Sequence, residues 1–139
     1  MGALAPIGQT IQFIEAEANR VKVAITTWRA SLEQRLEVRA VGAYPACLTS
    51  LEPLEWPWTR ELIVDAGPWT LYMNNQKNGG DSSSCAGVIS KMLEVRCVTV
   101  HQPRTPVGHA STQFWINRPG ETPSQHRVLA AHAEDGRWE

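Results

Sequence analysis

The residues with the types and spacing to do chemistry cluster around an aromatic strand and the loop after it, from Pro68 to Asp81. Cys85 follows within one turn of the predicted helix start, where a thiol can have a lowered pKa. Nucleophilic catalysis would also need a nearby base, for which His101 is the candidate. With Tyr72 and Asn74, these residues would line a pocket between sheet and helix. No catalytic signature is matched, so we assign no catalytic residue.

The loop from Asn74 to Asp81 carries four amide side chains and two glycines. Such residues suit tight turns, and they also suit recognition loops held on a rigid sheet. Asp81 is placed to cap the next helix. Its carboxylate would repel an anion at that helix start, which argues against a phosphate site.

Tryptophan is abundant, with six in 139 residues. Trp56 and Trp58 flank Pro57 in an acidic, proline-rich connector that also contains Glu52 and Glu55. Tryptophan is enriched in binding hot spots because it brings a large contact area at low entropic cost. We therefore expect a protein partner. The predicted binding residues are Trp56, Trp58, Tyr72, Asn74, Asn75, Asn78 and Asp81.

Composition argues against several other functions. Three cysteines without a C-x-x-C pair and four scattered histidines predict no metal site, and we expect no cofactor. A net charge of -1 without a basic patch argues against nucleic acid as partner. No stretch approaches the roughly 20 apolar residues of a membrane span, and the N-terminus lacks a signal-peptide pattern. Free thiols then favour a cytoplasmic protein.

The clearest periodicity lies near the N-terminus. Apolar residues step by three and four at Ile11, Ile14, Ala18, Val21, Ile25, Trp28 and Leu32. This stripe predicts a long helix from about Thr10 to Gln34, with Thr10 as its cap. The stripe would pack on the protein's own sheet, or else form the seam of a homodimer.

Alternating and branched residues predict strands in the rest of the chain. Leu36–Val41 is predicted to be a half-buried strand, and residues 42–57 an extended connector. Glu61–Asp65 and Trp69–Met73 form a predicted hairpin around Ala66-Gly67-Pro68. A helix is then expected over Asp81–Leu93. Three late strands follow, at Val95–His101, Ser111–Asn117 and Arg127–Ala133.

This order predicts one α+β domain over residues 1–139. In it, a long N-terminal helix and a second, shorter helix pack on a mostly antiparallel sheet that starts near residue 36.

Several motifs of the second half look like those of an uncharacterised family of bacterial, largely actinobacterial, proteins. They are the strand Trp69–Asn75, the turn Gly79–Asp81, Gln113-Phe114 and the late Asp135–Trp138. Members of that family carry a W-T-x-Y-F-x-N strand, a G-G-D turn and a late G-R-W. The resemblance covers roughly residues 59–139, and this chain has Met73 where the family prefers phenylalanine. It implies a bacterial origin and a single α+β unit, and it carries over no activity.

Three functions are consistent with these observations. The first is a non-enzymatic protein-binding module, such as an immunity protein or an inhibitor that blocks a partner in bacterial or phage conflict. The second is a small enzyme or ligand-binding domain with a pocket near Tyr72, Asp81 and Cys85. The third is a homodimeric structural protein that associates through the N-terminal helix.

Overall fold

The computed structural model of the chain describes residues 10–53, 59–75, 82–102, 110–121, 125–134 and 137–138. Its helices are α1 (Ala18–Ser31), α2 (Ser82–Leu93) and a short 3₁₀ helix (Ala46–Leu51). Its strands are β1 (Thr10–Ile14), β2 (Glu61–Ala66), β3 (Trp69–Asn74), β4 (Cys97–His101), β5 (Ala110–Asn117), β6 (Gln125–Glu134) and β7 (Arg137–Trp138). The α+β class predicted from the sequence is confirmed.

The described strands form one antiparallel sheet in the order β2-β3-β1-β4-β5-β6-β7. Apart from the 3₁₀ helix, the chain begins strand, helix, strand, strand, helix, strand. The first four strands lie in the order β2-β3-β1-β4, which is the interleaved arrangement of a ferredoxin-like split βαβ unit. Strands β5 to β7 then extend the sheet beyond β4. This topology defines a fold but no function, since one fold hosts many functions.

The predicted long helix is wrong in its first third and too long at its end. Thr10–Ile14 is strand β1, which pairs with both β3 and β4 at the middle of the sheet. Its residues alternate between buried and half-buried, as in a strand between two layers. Helix α1 starts only at Ala18 and has 14 residues. The apolar stripe therefore runs across a strand and a helix that pack on each other.

The hairpin and the second helix are found where the sequence places them. β2 and β3 pair across a turn at Gly67 and Pro68, and Gly67 takes a positive φ of 71° that a side chain would oppose. The Asp65 carboxylate accepts a hydrogen bond from the Gly67 N–H at 2.9 Å, which closes the turn. Helix α2 follows over Ser82–Leu93.

The main core lies between the two helices and one face of the sheet. Val21 and Ile25 of α1 and Ile89 of α2 meet Ile14 of β1 in this cluster. These α1 residues are buried inside the single chain, so a homodimer seam through α1 would have to use its exposed side. The sequence left both arrangements open.

The opposite face of the sheet is apolar and only partly covered. The 3₁₀ helix packs Leu48 and Leu51 against Leu62 and Met73 at the β2–β3 end. Farther along, the side chains that share this face are half-buried. They are Ile11, Phe13, Val98, Val100, Phe114 and Ile116.

The predicted strand Leu36–Val41 is wrong. Residues 34–42 form no helix, strand or turn and belong to no ladder, and every side chain from residue 31 to residue 46 is exposed. The alternation of apolar and charged residues is present, but no strand of the described chain lies beside it. A strand needs a neighbour for its backbone hydrogen bonds, and local sequence does not supply one.

Candidate functional site

The predicted pocket residues Tyr72 and Cys85 do come together, at the contact between β3 and α2. Tyr72 is buried, and its hydroxyl donates a hydrogen bond to Glu61 Oε1 at 2.5 Å. Arg29 of α1 donates to the same oxygen from Nε at 3.2 Å and from Nη2. The Arg29 and Glu61 side chains are 17% and 15% exposed. One carboxylate thus ties α1, β2 and β3 together.

The surroundings of Cys85 do not favour a nucleophile. Burial raises the pKa of the Cys85 thiol from 9.0 to about 12, and the negative charge of Glu61 makes the second-largest contribution. The thiol is therefore protonated at neutral pH, and the thiol form is a poor nucleophile. Burial likewise raises the pKa of Tyr72 well above its usual value. Both residues are therefore part of the core. The raised pKa of Cys85 is the opposite of the lowered pKa that a position at a helix start would favour.

His101, the candidate base, lies on the same face of the sheet as Tyr72, the strand residue near Cys85. It is nevertheless away from Tyr72. Strand β1 separates β3 from β4, which sets Tyr72 about 10 Å from Thr99 across the sheet, and His101 lies two residues farther along β4. The Nδ1 atom of His101 is 2.8 Å from Thr10 Oγ1, and its ring lies 5.9 Å from that of Trp115. Burial lowers the pKa of His101. The histidine is thus neutral at pH 7 and engaged in packing.

Asn75 joins chain segments together. Its side-chain oxygen accepts the Arg60 N–H at 2.8 Å, and its side-chain nitrogen donates to the Pro53 carbonyl at 3.3 Å. Its backbone N–H also donates to the Arg60 carbonyl at 3.0 Å. Both Asn74 and Asn75 are buried. These two members of the predicted binding set therefore face inward, whereas recognition needs them at the surface.

Four other predicted binding residues lie outside the described residues. They are Trp56, Trp58, Asn78 and Asp81. Their assignment stays a prediction.

Sequence reasoning missed a buried polar row beneath helix α2. Register places Gln12 of β1 between Tyr72 of β3 and Thr99 of β4 on the helix-facing side. Gln12 is fully buried, and neither atom of its amide group has a hydrogen-bond partner in the described part of the chain. The Thr99 hydroxyl and the Asn117 side-chain oxygen are likewise buried without a hydrogen-bond partner in the described part of the chain. An unpaired buried polar group costs stability, so this row is unusual for a core.

Two surface depressions flank helix α2. One, of about 330 Å³, lies beside the loop after β5 and is bordered by Lys91, Glu94, Asn117, Arg118 and Glu121. Its charges are mixed, and Arg118 approaches Glu121 to 3.7 Å. The other, of about 360 Å³, is a shallow apolar groove between α1 and α2 that includes Val23 and Met92. Neither contains the candidate residues Tyr72 or Cys85.

The largest concentration of exposed apolar side chains lies in the segment between α1 and the 3₁₀ helix. Seven large hydrophobic residues are exposed among the described residues, and five of them fall between positions 32 and 44. These five are Leu32, Leu36, Val38, Val41 and Tyr44. We call residues 32–44 the exposed segment. Its alternation of apolar and charged residues was the signal available in the sequence, although that pattern was interpreted as a half-buried strand.

The described residues contain no group of three or more histidine, cysteine, aspartate or glutamate side chains arranged to hold a metal ion. Nor does this part of the chain contain a helix long and apolar enough to cross a membrane.

Comparisons with known protein families, with characterised proteins and with solved structures found no match to this chain. The resemblance to a bacterial family therefore stays a prediction.

Proposed function

We propose that the protein is a non-enzymatic protein-binding module that engages its partner through the exposed segment. The observation that carries this proposal is the clustering of exposed apolar side chains there. Val38 is 64% exposed, and Leu36, Val41 and Tyr44 are exposed near it in the sequence of the same segment. Contiguous apolar surface on a soluble protein commonly marks a contact site, whereas single exposed residues do not.

The backbone of the exposed segment suits recognition by strand addition. Residues 34–42 form no regular secondary structure of their own, and apolar and charged side chains alternate from Leu36 to Ala40. Glu37 and Arg39 lie on the same side of the chain, since their side chains are hydrogen-bonded at 2.8 Å, as expected for an extended backbone. A partner strand laid beside such a segment gains main-chain hydrogen bonds, and alternate side chains give specificity. Charged side chains on the other side of the segment would stay in water. The geometry needs no conformational change in the sheet or its helices.

The chemistry of the core supports binding over catalysis. The best nucleophile candidate, Cys85, is buried and has its pKa raised to about 12. Tyr72 is hydrogen-bonded to Glu61 within the same packed cluster. An immunity protein or inhibitor is one form that such a module takes, because blocking a partner requires a complementary surface and no catalytic group.

The test is capture of partners from native lysate with tagged wild-type protein, beside two matched variants. Val38→Lys places a charge in the exposed segment, and Val23→Lys places the same charge in the apolar groove on the helices. Val23 is 54% exposed, so both changes should leave the free energy of unfolding within about 0.5 kcal/mol of wild type.

A stoichiometric protein that is lost from Val38→Lys and kept by Val23→Lys would support the proposal. The reverse pattern would move the binding surface to the groove between α1 and α2. A partner retained by both variants would refute the role of the exposed segment.

A further inference from the structure

The exposed segment is complementary to itself when two copies run antiparallel. In an extended chain, Leu36, Val38 and Ala40 share one side, and Glu37 and Arg39 share the other. The structure places Glu37 and Arg39 on the same side, because Arg39 Nε donates to Glu37 Oε1 at 2.8 Å across one intervening residue. From Leu36 to Ala40, one side is thus apolar, and the other carries one negative and one positive charge.

We propose that residues 34–42 of two copies pair as antiparallel strands about a twofold axis at Val38. This inference rests on the proposed function and names its partner as a second copy of the chain. Val38 then faces the second copy's Val38, and Leu36 faces Ala40. On the charged side, each Glu37 lies opposite an Arg39, so two cross-strand ion pairs form. A symmetric dimer requires such a self-complementary patch.

Other registers match the apolar and charged sides of the two copies less well. A shift that sets an odd position against an even one places the apolar side of one strand beside the charged side of the other. A twofold axis at Glu37 or at Arg39 sets like charges directly opposite each other, which is destabilising.

An axis at Leu36 matches Arg35 with Glu37, but it sets Val38 against Gln34. Strand pairing about this axis would also end within a few residues. Glu33 has a positive φ of 57°, and the Gln34 N–H donates to the Arg29 carbonyl at the end of α1. The axis at Val38 uses the whole segment from Gln34 to Gly42.

The free backbone of the segment fits this role. In the described chain, residues 35–42 belong to no ladder, and their side chains are exposed. An unpaired strand is a template for another chain. A single strand pair forms a small interface, below the usual size of a permanent dimer, so the expected association is weak and reversible.

Sedimentation velocity over about 10 to 500 µM should show a reversible monomer–dimer equilibrium of the full chain, a range suited to a micromolar dissociation constant. Glu37→Arg alone and Arg39→Glu alone should each weaken the dimer by about tenfold, because each sets like charges opposite at two places. An equimolar mixture of the two variants should restore association, since both cross-strand pairs are then again of opposite sign. The combination is specific to the Val38 axis, because an axis at Glu37 or at Arg39 already sets like charges opposite in the wild-type dimer, so the single variants would not weaken it.

Cross-linking tests the register independently. Val38→Cys should form a disulfide-linked dimer, because facing residues in antiparallel strands have Cα atoms roughly 4.5 to 5.5 Å apart. Leu36→Cys should not, since it faces Ala40. Cys47, Cys85 and Cys97 are buried, so they leave the engineered thiol as the reactive one.

A wild-type chain that stays monomeric at 500 µM would overturn the inference. So would a dimer that neither charge change weakens, or one that Leu36→Cys links and Val38→Cys does not. If the monomer still captures a different protein in a Val38-dependent way, the proposed function stands and only the second copy is excluded. If neither association depends on Val38, both proposals fail.

Discussion

The buried thiols predict that the protein loses stability at alkaline pH, and that Cys85→Ala removes part of this loss. Burial raises the pKa of Cys85 and of Cys97 from 9.0 to about 12. Glu61 adds to the shift at Cys85 and Glu15 at Cys97. The native state therefore holds both thiol protons more tightly than the unfolded chain does. Their contribution to stability is complete below pH 9 and is lost as the pH rises toward 12.

The magnitude follows from this separation of pKa values. One pKa unit corresponds to about 1.4 kcal/mol. At pH 10 the unfolded thiols are mostly ionised and the native ones are not, so each thiol has lost about 1.4 kcal/mol of its contribution. The two together lower the free energy of unfolding by about 3 kcal/mol between pH 8 and pH 10. Cys85→Ala should reduce that decline by roughly half.

The assay is urea unfolding at pH 8 and pH 10 with a reductant present, followed by tryptophan fluorescence. Ile89→Val is the matched control, because Ile89 is fully buried on the same helix and does not titrate. It should lower the free energy of unfolding by about 0.5 to 1.5 kcal/mol at both pH values and leave the decline unchanged. A decline in Cys85→Ala as steep as that of wild type would refute the reasoning.

Three further predictions concern buried polar groups, and urea unfolding at pH 7 checks each. Glu61→Gln should cost about 2 kcal/mol, between the values for exposed and buried pairs, because it removes the charge opposite the half-buried Arg29; no change would mean that the pair contributes nothing. Gln12→Leu should stabilise the protein by about 1 to 3 kcal/mol by removing unpaired amide atoms, and a loss would show that Gln12 has a partner. Asn75→Ala should cost about 2 kcal/mol through two lost hydrogen bonds; a neutral effect would return Asn75 to the candidate binding surface.

Elements defined by local signals were predictable from the sequence. The hairpin depends on Gly67, whose positive φ and contact with Asp65 are set within four residues. Helix α2 depends on its own apolar side and on the amide- and glycine-rich sequence before it. Neither requires knowledge of a distant part of the chain.

The first strand was not predictable in this way. Ile11 and Ile14 are three residues apart, which suits one side of a helix, yet in β1 they point to opposite sides of the sheet. Residues Thr10–Ile14 form a strand and not a helix because Gln12 pairs with Tyr72 and Thr99, which lie far along the chain. Tertiary contacts override a local period, and a stripe continued by α1 made the helix look longer than it is.

The described members of the predicted binding set are buried for a related reason. Tyr72 and Asn75 have the chemistry of a binding surface, but their positions in strand β3 and directly after it turn them inward. There they bond to Glu61, Arg60 and Pro53. Sequence identifies which residue types are able to bind. The side of the sheet they occupy depends on register, which a slip of one residue would reverse.

The alternation of Leu36–Val41 is present in the sequence, but the strand predicted from it does not form in the structure. A chain with an exposed strand-like segment risks indiscriminate aggregation, and charged residues on such a segment oppose it. Glu37 and Arg39 do this selectively, because like charges meet about an axis at Glu37 or at Arg39 and opposite charges meet about Val38. The same residues that make the segment soluble therefore restrict what it pairs with. The failed strand assignment and the proposed contact are two consequences of one pattern, a strand whose neighbour is not in the described part of its own chain.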